Sequence, residues 1–126
     1  MRTVLVVDDA SDCAVILEVA LQGLRDVTVE RAASAEAAWS FLERSAVAAV
    51  LTDLQLPGMT GIELTERLRA EERFRGMPVI VVSAASDAGA GARALGAGAD
   101  AFFGKPFSPA AVCRKLQELW EDHANS

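Results

Sequence analysis

The chain has 126 residues, 52% of them apolar and 24% charged, with a formal net charge of −6. That size and balance predict one ordered domain with its own hydrophobic core and leave little room for a second. The acidic excess argues against direct binding to nucleic acid or to an anionic membrane, since both need a basic footprint.

The N-terminal apolar run is short and ends in Asp8-Asp9, unlike a signal peptide. No apolar stretch reaches membrane-spanning length, so a cytoplasmic protein is expected. Cys13 and Cys113 stand far apart with no metal-like spacing, and read as small buried hydrophobes in a reducing compartment.

Five short apolar runs alternate with five helical stretches. Val4–Val7 is continuous and rich in valine, as in a strand buried on both faces. A helix follows, with Cys13, Ile16, Leu17, Ala20, Leu21 and Leu24 at i, i+3, i+4 spacing toward the core. Val27–Glu30 is a weaker, partly polar strand that suits a sheet edge. Ser34 caps a helix running to about Arg44, with Ala38, Trp39 and Leu42 inward. Ala48–Thr52 forms the third strand and ends at Asp53, and Pro57-Gly58 marks a turn. Thr60 with Glu63 is a capping box opening a helix that carries Ile62, Leu64 and Leu68. The mixed charges around Arg67–Arg75 read as a solvated helix end. Pro78–Ser83 is the most apolar strand. Ser86–Ala97 is a weak fourth helix, interrupted by Gly89, Gly91 and Gly96, with Leu95 as its one large apolar anchor and Gly98 as its stop. Ala101–Phe103 is the fifth strand. Ser108 caps the last helix, Pro109 takes its first position, and Val112, Leu116, Leu119 and Trp120 face inward.

Strict strand–helix alternation predicts an α/β fold with a five-stranded parallel sheet flanked by five helices. Asp8 and Asp9 follow strand one, Asp53 follows strand three, Ser83 ends strand four and Lys105 lies just beyond strand five. All stand at carboxyl ends of parallel strands, the edge where such sheets bind ligands. In the flavodoxin-like, doubly wound order 2-1-3-4-5 the three aspartates meet at the point where the strand order reverses. Clustered carboxylates repel one another unless a cation offsets their charge, and an all-oxygen site suits Mg²⁺ or Mn²⁺ rather than zinc. Lys105, one of two lysines in the chain, supplies a positive charge opposite the acids, and Ser83 supplies a hydroxyl donor. A cation, a lysine and a hydroxyl around one carboxylate are parts that hold a phosphoryl group, with Asp53 as the nucleophile.

The segments Val-Val-Asp8-Asp9, Thr-Asp53-Leu-Gln-Leu-Pro57-Gly-Met-Thr-Gly61, Val-Val-Ser83-Ala-Ala and Gly98-Ala-Asp-Ala-Phe102-Phe-Gly-Lys105-Pro106-Phe107 together resemble the receiver domain of two-component response regulators, of the stand-alone, chemotaxis-regulator type. The likeness spans nearly the whole chain, so residues 1–126 are expected to form one receiver domain. It implies that Asp53 accepts a phosphoryl group from a sensor histidine kinase or phosphotransfer protein. It implies a Mg²⁺ held directly by Asp9 and Asp53, through water by Asp8, and by the backbone carbonyl of Gln55. Lys105 would pair with Asp53 and then with the phosphoryl group, while Ser83 would move onto a phosphoryl oxygen and Phe102 would turn inward as the switch aromatic. The Lys105-Pro106 bond resembles the family's cis peptide. The implied role is regulatory rather than enzymatic, assisting its own phosphorylation and hydrolysis, with output to a downstream protein through the fourth helix, fifth strand and fifth helix.

The chain departs from the commoner pattern at Phe102, which lacks a tyrosine hydroxyl, and at Gln55 and Ala85, variable positions beside the phosphoryl group. An aspartyl phosphatase of similar fold is the rival reading. It would need acids two residues apart after strand one, where this chain has adjacent acids followed by Ala10. A second rival, an unphosphorylated scaffold, does not explain the complete set of acids, Ser83 and Lys105.

Overall fold

The computed structural model describes residues 2–9, 11–84 and 89–124, without the side chains of 11–13, 84 and 123–124. Its strands are β1 (Arg2–Val7), β2 (Val27–Ala32), β3 (Ala49–Asp53), β4 (Val79–Ala84) and β5 (Ala101–Lys105). Its helices are α1 (Ser11–Gln22), α2 (Ala35–Arg44), α3 (Gly61–Ala70), α4 (Ala90–Ala97) and α5 (Pro109–Ala124). All strand pairings are parallel, in the order β2-β1-β3-β4-β5. This is the predicted flavodoxin-like sheet, with β2 at an edge as its polar residues require.

Successive strand side chains point to opposite faces, so each central strand feeds two cores. Leu5 and Val7 of β1 pack with Trp39 and Leu42 of α2, Leu64 and Leu68 of α3, and Ala90 and Ala94 of α4. Val4 and Val6 pack with Leu17 and Leu21 of α1 and with Val112, Leu116 and Trp120 of α5. The continuous apolar run of β1 follows from this double burial, since a strand with one wet face would alternate.

The predicted caps are present. Ser34 accepts the Ala37 N–H at 3.1 Å, Ser108 accepts that of Ala111 at 3.2 Å, and Thr60 and Glu63 form the reciprocal capping box. Each such cap is worth about 1 kcal/mol. The Trp120 indole N–H donates to the Ala48 carbonyl at 3.0 Å, which satisfies its polar edge inside the lower core. Cys113 is buried and free, and burial pushes its thiol pKa up, as a small core hydrophobe requires. Cys13, expected to do the same, lies outside the described side chains.

Several expectations are corrected. Ile16 is 48% exposed, as are its neighbours Val15 (46%) and Val19 (66%). The buried line on α1 is Ala14, Leu17 and Leu21, because the helix carries apolar residues on more than one side and only one side meets the sheet. α4 is shorter than expected and begins at Ala90, with Gly89 as its N-cap at φ +83°. Residues 86–88 of the expected helix lie outside the described residues. Leu95 is 51% exposed and stands outside the core, and α4 is held by the buried methyls of Ala90 and Ala94. β5 runs on through Lys105 and β4 through Ala84, so Lys105 is the last residue of its strand rather than a loop residue, and Ser83 is the last but one of its own. The Arg67–Arg75 stretch is not simply solvated. The Arg69 side chain is only 19% exposed and bonds four backbone carbonyls and Asp100, while Arg67 lies over the Trp39 ring at 4.0 Å.

Candidate functional site

Every strand of a parallel sheet ends on the same edge, and strand order decides which ends are neighbours. Val7 pairs with Thr52, so Asp8 and Asp53, one residue further on, come out side by side. Oxygens of Asp8, Asp9 and Asp53 all lie within 4.8 Å of one another. Asp53 is 8% exposed, Asp8 9%, and Asp9 faces solvent. A cavity of about 250 Å³ opens beside the acids, walled by the small side chains of Ala14, Ala32 and Ala33 and by Arg31.

Asp53 is fixed from two sides. The Lys105 ammonium donates to its Oδ2 at 2.9 Å, and the Gln55 backbone N–H donates to its Oδ1 at 3.1 Å. Lys105 reaches it because β5 is parallel to β4 and delivers its last residue to the same edge, beside Ala84. The chain then turns through a cis Lys105-Pro106 bond. On the other side the loop after β3 is folded tightly back. The Gly61 N–H donates to Leu54 at 3.0 Å, and a Cβ on Gly61 would overlap the Asp53 carbonyl oxygen. Only glycine lets α3 start so close to the acid.

Among the described residues the Lys105 ammonium is bonded to one of three clustered carboxylates, which together offer a set of oxygen donors. That composition suits a hard divalent cation. Ser83 is fully buried, and its hydroxyl has no hydrogen-bond partner among the described residues. Phe102 pairs with Val81 and Ser83 with Gly104, so Phe102 and Ser83 share the sheet face that carries α4. The half-buried ring of Phe102 packs on Gly91, where a Cβ would stand 3.2 Å from the ring.

The family model of the response regulator receiver domain matches residues 4–117. The chain belongs to this family.

Among curated receiver-domain proteins, a chemotaxis protein CheY homolog of Campylobacter jejuni is 34% identical over 116 residues, 91% of this chain and 89% of that protein. Response regulator Rre1 of Synechocystis is 32% identical over 107 residues, 85% of this chain, and the matched part is 46% of the Rre1 length. A CheY-like response regulator receiver domain protein from Methanospirillum hungatei superposes with a TM-score of 0.87 at 28% identity, covering 99% of this chain and 98% of that one.

The receiver-domain fold brings Asp8, Asp9, Asp53 and Lys105 together directly, and sets Ser83 one position beyond the residue that pairs with Asp53. Phe102 stands apart from the acids, on the face toward α4. Of Gln55 the backbone N–H engages Asp53. Sequence reasoning missed the role of Gly61, whose signal is its place at the first turn of α3 against β3. It also missed Arg69 and Asp100, whose bond spans 31 residues and leaves no local pattern. Among the described residues, no helix is long and apolar enough to cross a membrane.

Proposed function

We propose that the chain is a phosphorylation-operated signalling switch in which Asp53 takes the phosphoryl group. One observation carries this reading. Asp53 is a nearly buried carboxylate with an ammonium 2.9 Å from one oxygen and two further carboxylates within 4.8 Å. Phosphoryl transfer needs positioning and charge neutralisation more than covalent assistance, and these are the parts assembled here. An Asp53 oxygen would form the O–P bond while the P–N bond of a phosphohistidine breaks. That electron pair would return to the imidazole of a sensor kinase or phosphotransfer protein.

The acid cluster fits Mg²⁺, or Mn²⁺, with Asp9 and Asp53 as direct ligands, Asp8 acting through water and Gln55 through its backbone carbonyl. Such a cation, when bound, would offset charge on the phosphoryl oxygens. Lys105 would hold Asp53 at rest and a phosphoryl oxygen afterwards. An enclosed hydroxyl without a partner is costly to keep, which supports Ser83 as the donor that turns to the phosphoryl group. Phe102 would respond to the space that Ser83 vacates and alter the face built by α4, β5 and α5.

The exposed Val15, Ile16 and Val19 of α1 support docking of a protein phosphodonor beside the acids. The role is regulatory, with residues 1–126 working as one receiver domain in the cytoplasm. Its partners are a kinase or phosphotransfer protein and a downstream protein, with no direct nucleic-acid or membrane binding. The test is incubation with a small phosphodonor and Mg²⁺, followed by intact mass. One phosphoryl group is expected on the wild type and none on Asp53→Asn. Labelling of Asp53→Asn near the wild-type level would refute the assignment.

A further inference from the structure

We propose that Glu18 and Arg31 form a charge latch that sets how tightly the acid site holds a divalent cation. The inference rests on the reading of Asp8, Asp9 and Asp53 as a metal site. Arg31 is the last residue but one of β2 and pairs with Val6 of β1. Its side chain therefore leaves the sheet on the face of Val6, which is the face that α1 covers. The next residue, Ala32, accepts the Asp8 N–H at 3.0 Å, so the end of β2 is tied to the start of the acid cluster. Arg31 walls the same cavity of about 250 Å³ as Asp8 and Asp9. A guanidinium keeps its charge at any working pH, so this wall of the cavity carries a permanent cation.

On the α1 side the guanidinium is met by Glu18. The Arg31 Nε stands 3.3 Å from Glu18 Oε2. Glu18 lies one turn beyond Ala14, which lines the cavity, and so on the same side of α1. Its other oxygen accepts from the Gln22 side-chain amide at 3.5 Å, one turn further along. Glu18 thus draws Arg31 toward the helix and offsets its charge. The two side chains of the pair, Arg31 and Glu18, are 46% and 30% exposed, and an ion pair so open to water adds little to the stability of the fold. Its effect falls instead on the field in the cavity. A guanidinium released there would turn toward the carboxylates and compete with Mg²⁺ for them, whereas one held by Glu18 leaves them available.

Calorimetric titration of the full chain with MgCl₂ tests the latch. Arg31→Gln should bind Mg²⁺ about fivefold tighter than wild type, and Glu18→Gln about fivefold weaker. Arg31→Lys keeps a cation at the wall and should stay within about twofold of wild type. Placed on Arg31→Gln, Glu18→Gln should change the affinity by less than about twofold, because no guanidinium is left to release. The differences should shrink as NaCl is raised from about 0.05 to 0.5 M, since exposed charges are screened. An Arg31→Gln affinity equal to or below wild type would overturn the proposal. So would an equal loss from Glu18→Gln with and without Arg31, which would mark simple addition of separate charges. Differences that salt leaves unchanged would point to packing and overturn it as well. Should Arg31→Gln not fold, Glu18→Gln decides alone, and an affinity at or above wild type there refutes the latch. If wild type binds no Mg²⁺, the metal reading fails and the latch with it. If it binds Mg²⁺ with an affinity indifferent to both residues, the latch alone fails.

Discussion

Lys105 and Gln55 each hold one oxygen of Asp53, and the two contacts differ in what they contribute. The backbone N–H of Gln55 orients the carboxylate and survives any substitution of the side chain. Lys105 supplies charge, and its loss has two consequences of opposite direction. Lys105→Met should slow phosphorylation by a small phosphodonor on the order of 100-fold, because a charged donor to the transferring oxygens is gone. It should also tighten Mg²⁺ binding, because a cation beside the acid cluster is removed. Calorimetric titration with Mg²⁺ checks the second effect. Weaker binding in the variant would indicate a collapsed site rather than a missing charge. The acids divide in a similar way. Asp9→Ala should weaken Mg²⁺ on the order of 100-fold and Asp8→Ala only about tenfold, if Asp8 acts through water. Equal affinity in wild type and Asp9→Ala would count against the site.

α4 shows how the same residue type acts differently along one helix. Gly89, Gly91 and Gly96 look alike in the sequence as helix-weakening residues, but they meet different surroundings. Gly96 has open space at its Cβ position and no left-handed backbone, so Gly96→Ala should stabilise the protein by about 0.5–1 kcal/mol. Gly89 sits at φ +83°, so alanine there should instead destabilise by about 1 kcal/mol. Gly91 is where the helix accepts the Phe102 ring, and a methyl there would press on that ring. Urea unfolding of the two single variants should move the midpoint in opposite directions. Alanine at both 89 and 91 would therefore not simply order the helix, because of the positive φ at the first and the ring beneath the second.

At the scale of the whole molecule, the charge of −6 is partly concentrated at one edge of the sheet. A ligand that binds the folded site and not the unfolded chain stabilises the fold by mass action. At free Mg²⁺ of about 100 times its dissociation constant the gain is about 2.7 kcal/mol, roughly a 10 °C rise in melting temperature for a domain of this size. Scanning calorimetry with and without Mg²⁺ should show this rise in wild type and lose most of it in Asp9→Ala. The two cores on either face of the sheet tie all five strands together, so unfolding should remain one cooperative transition in both conditions.

The alternation of apolar runs with helical periods determined the element order and the parallel sheet, because a crossover between parallel strands needs a helix and has one favoured hand. The cap residues Ser34, Thr60 and Ser108 marked helix starts closely, since capping is a local bond within four residues. The acids and Lys105 were legible because each sits at a strand end, and strand ends can be read from where hydrophobicity stops. What lay beyond reach depends on which surfaces meet. Ile16 and Leu95 share the apolar character of core residues, and only the packing of α1 and α4 on the sheet leaves them outside. In the sequence Arg69 looks like its neighbours Arg67 and Arg73, yet it bonds carbonyls up to 29 residues away because the end of α4 folds back beside α3. Local chemistry therefore determined elements and site, while the long-range bonds of Arg69, the exclusion of Leu95 and the seat of Phe102 on Gly91 were decided only when the helices closed over the sheet.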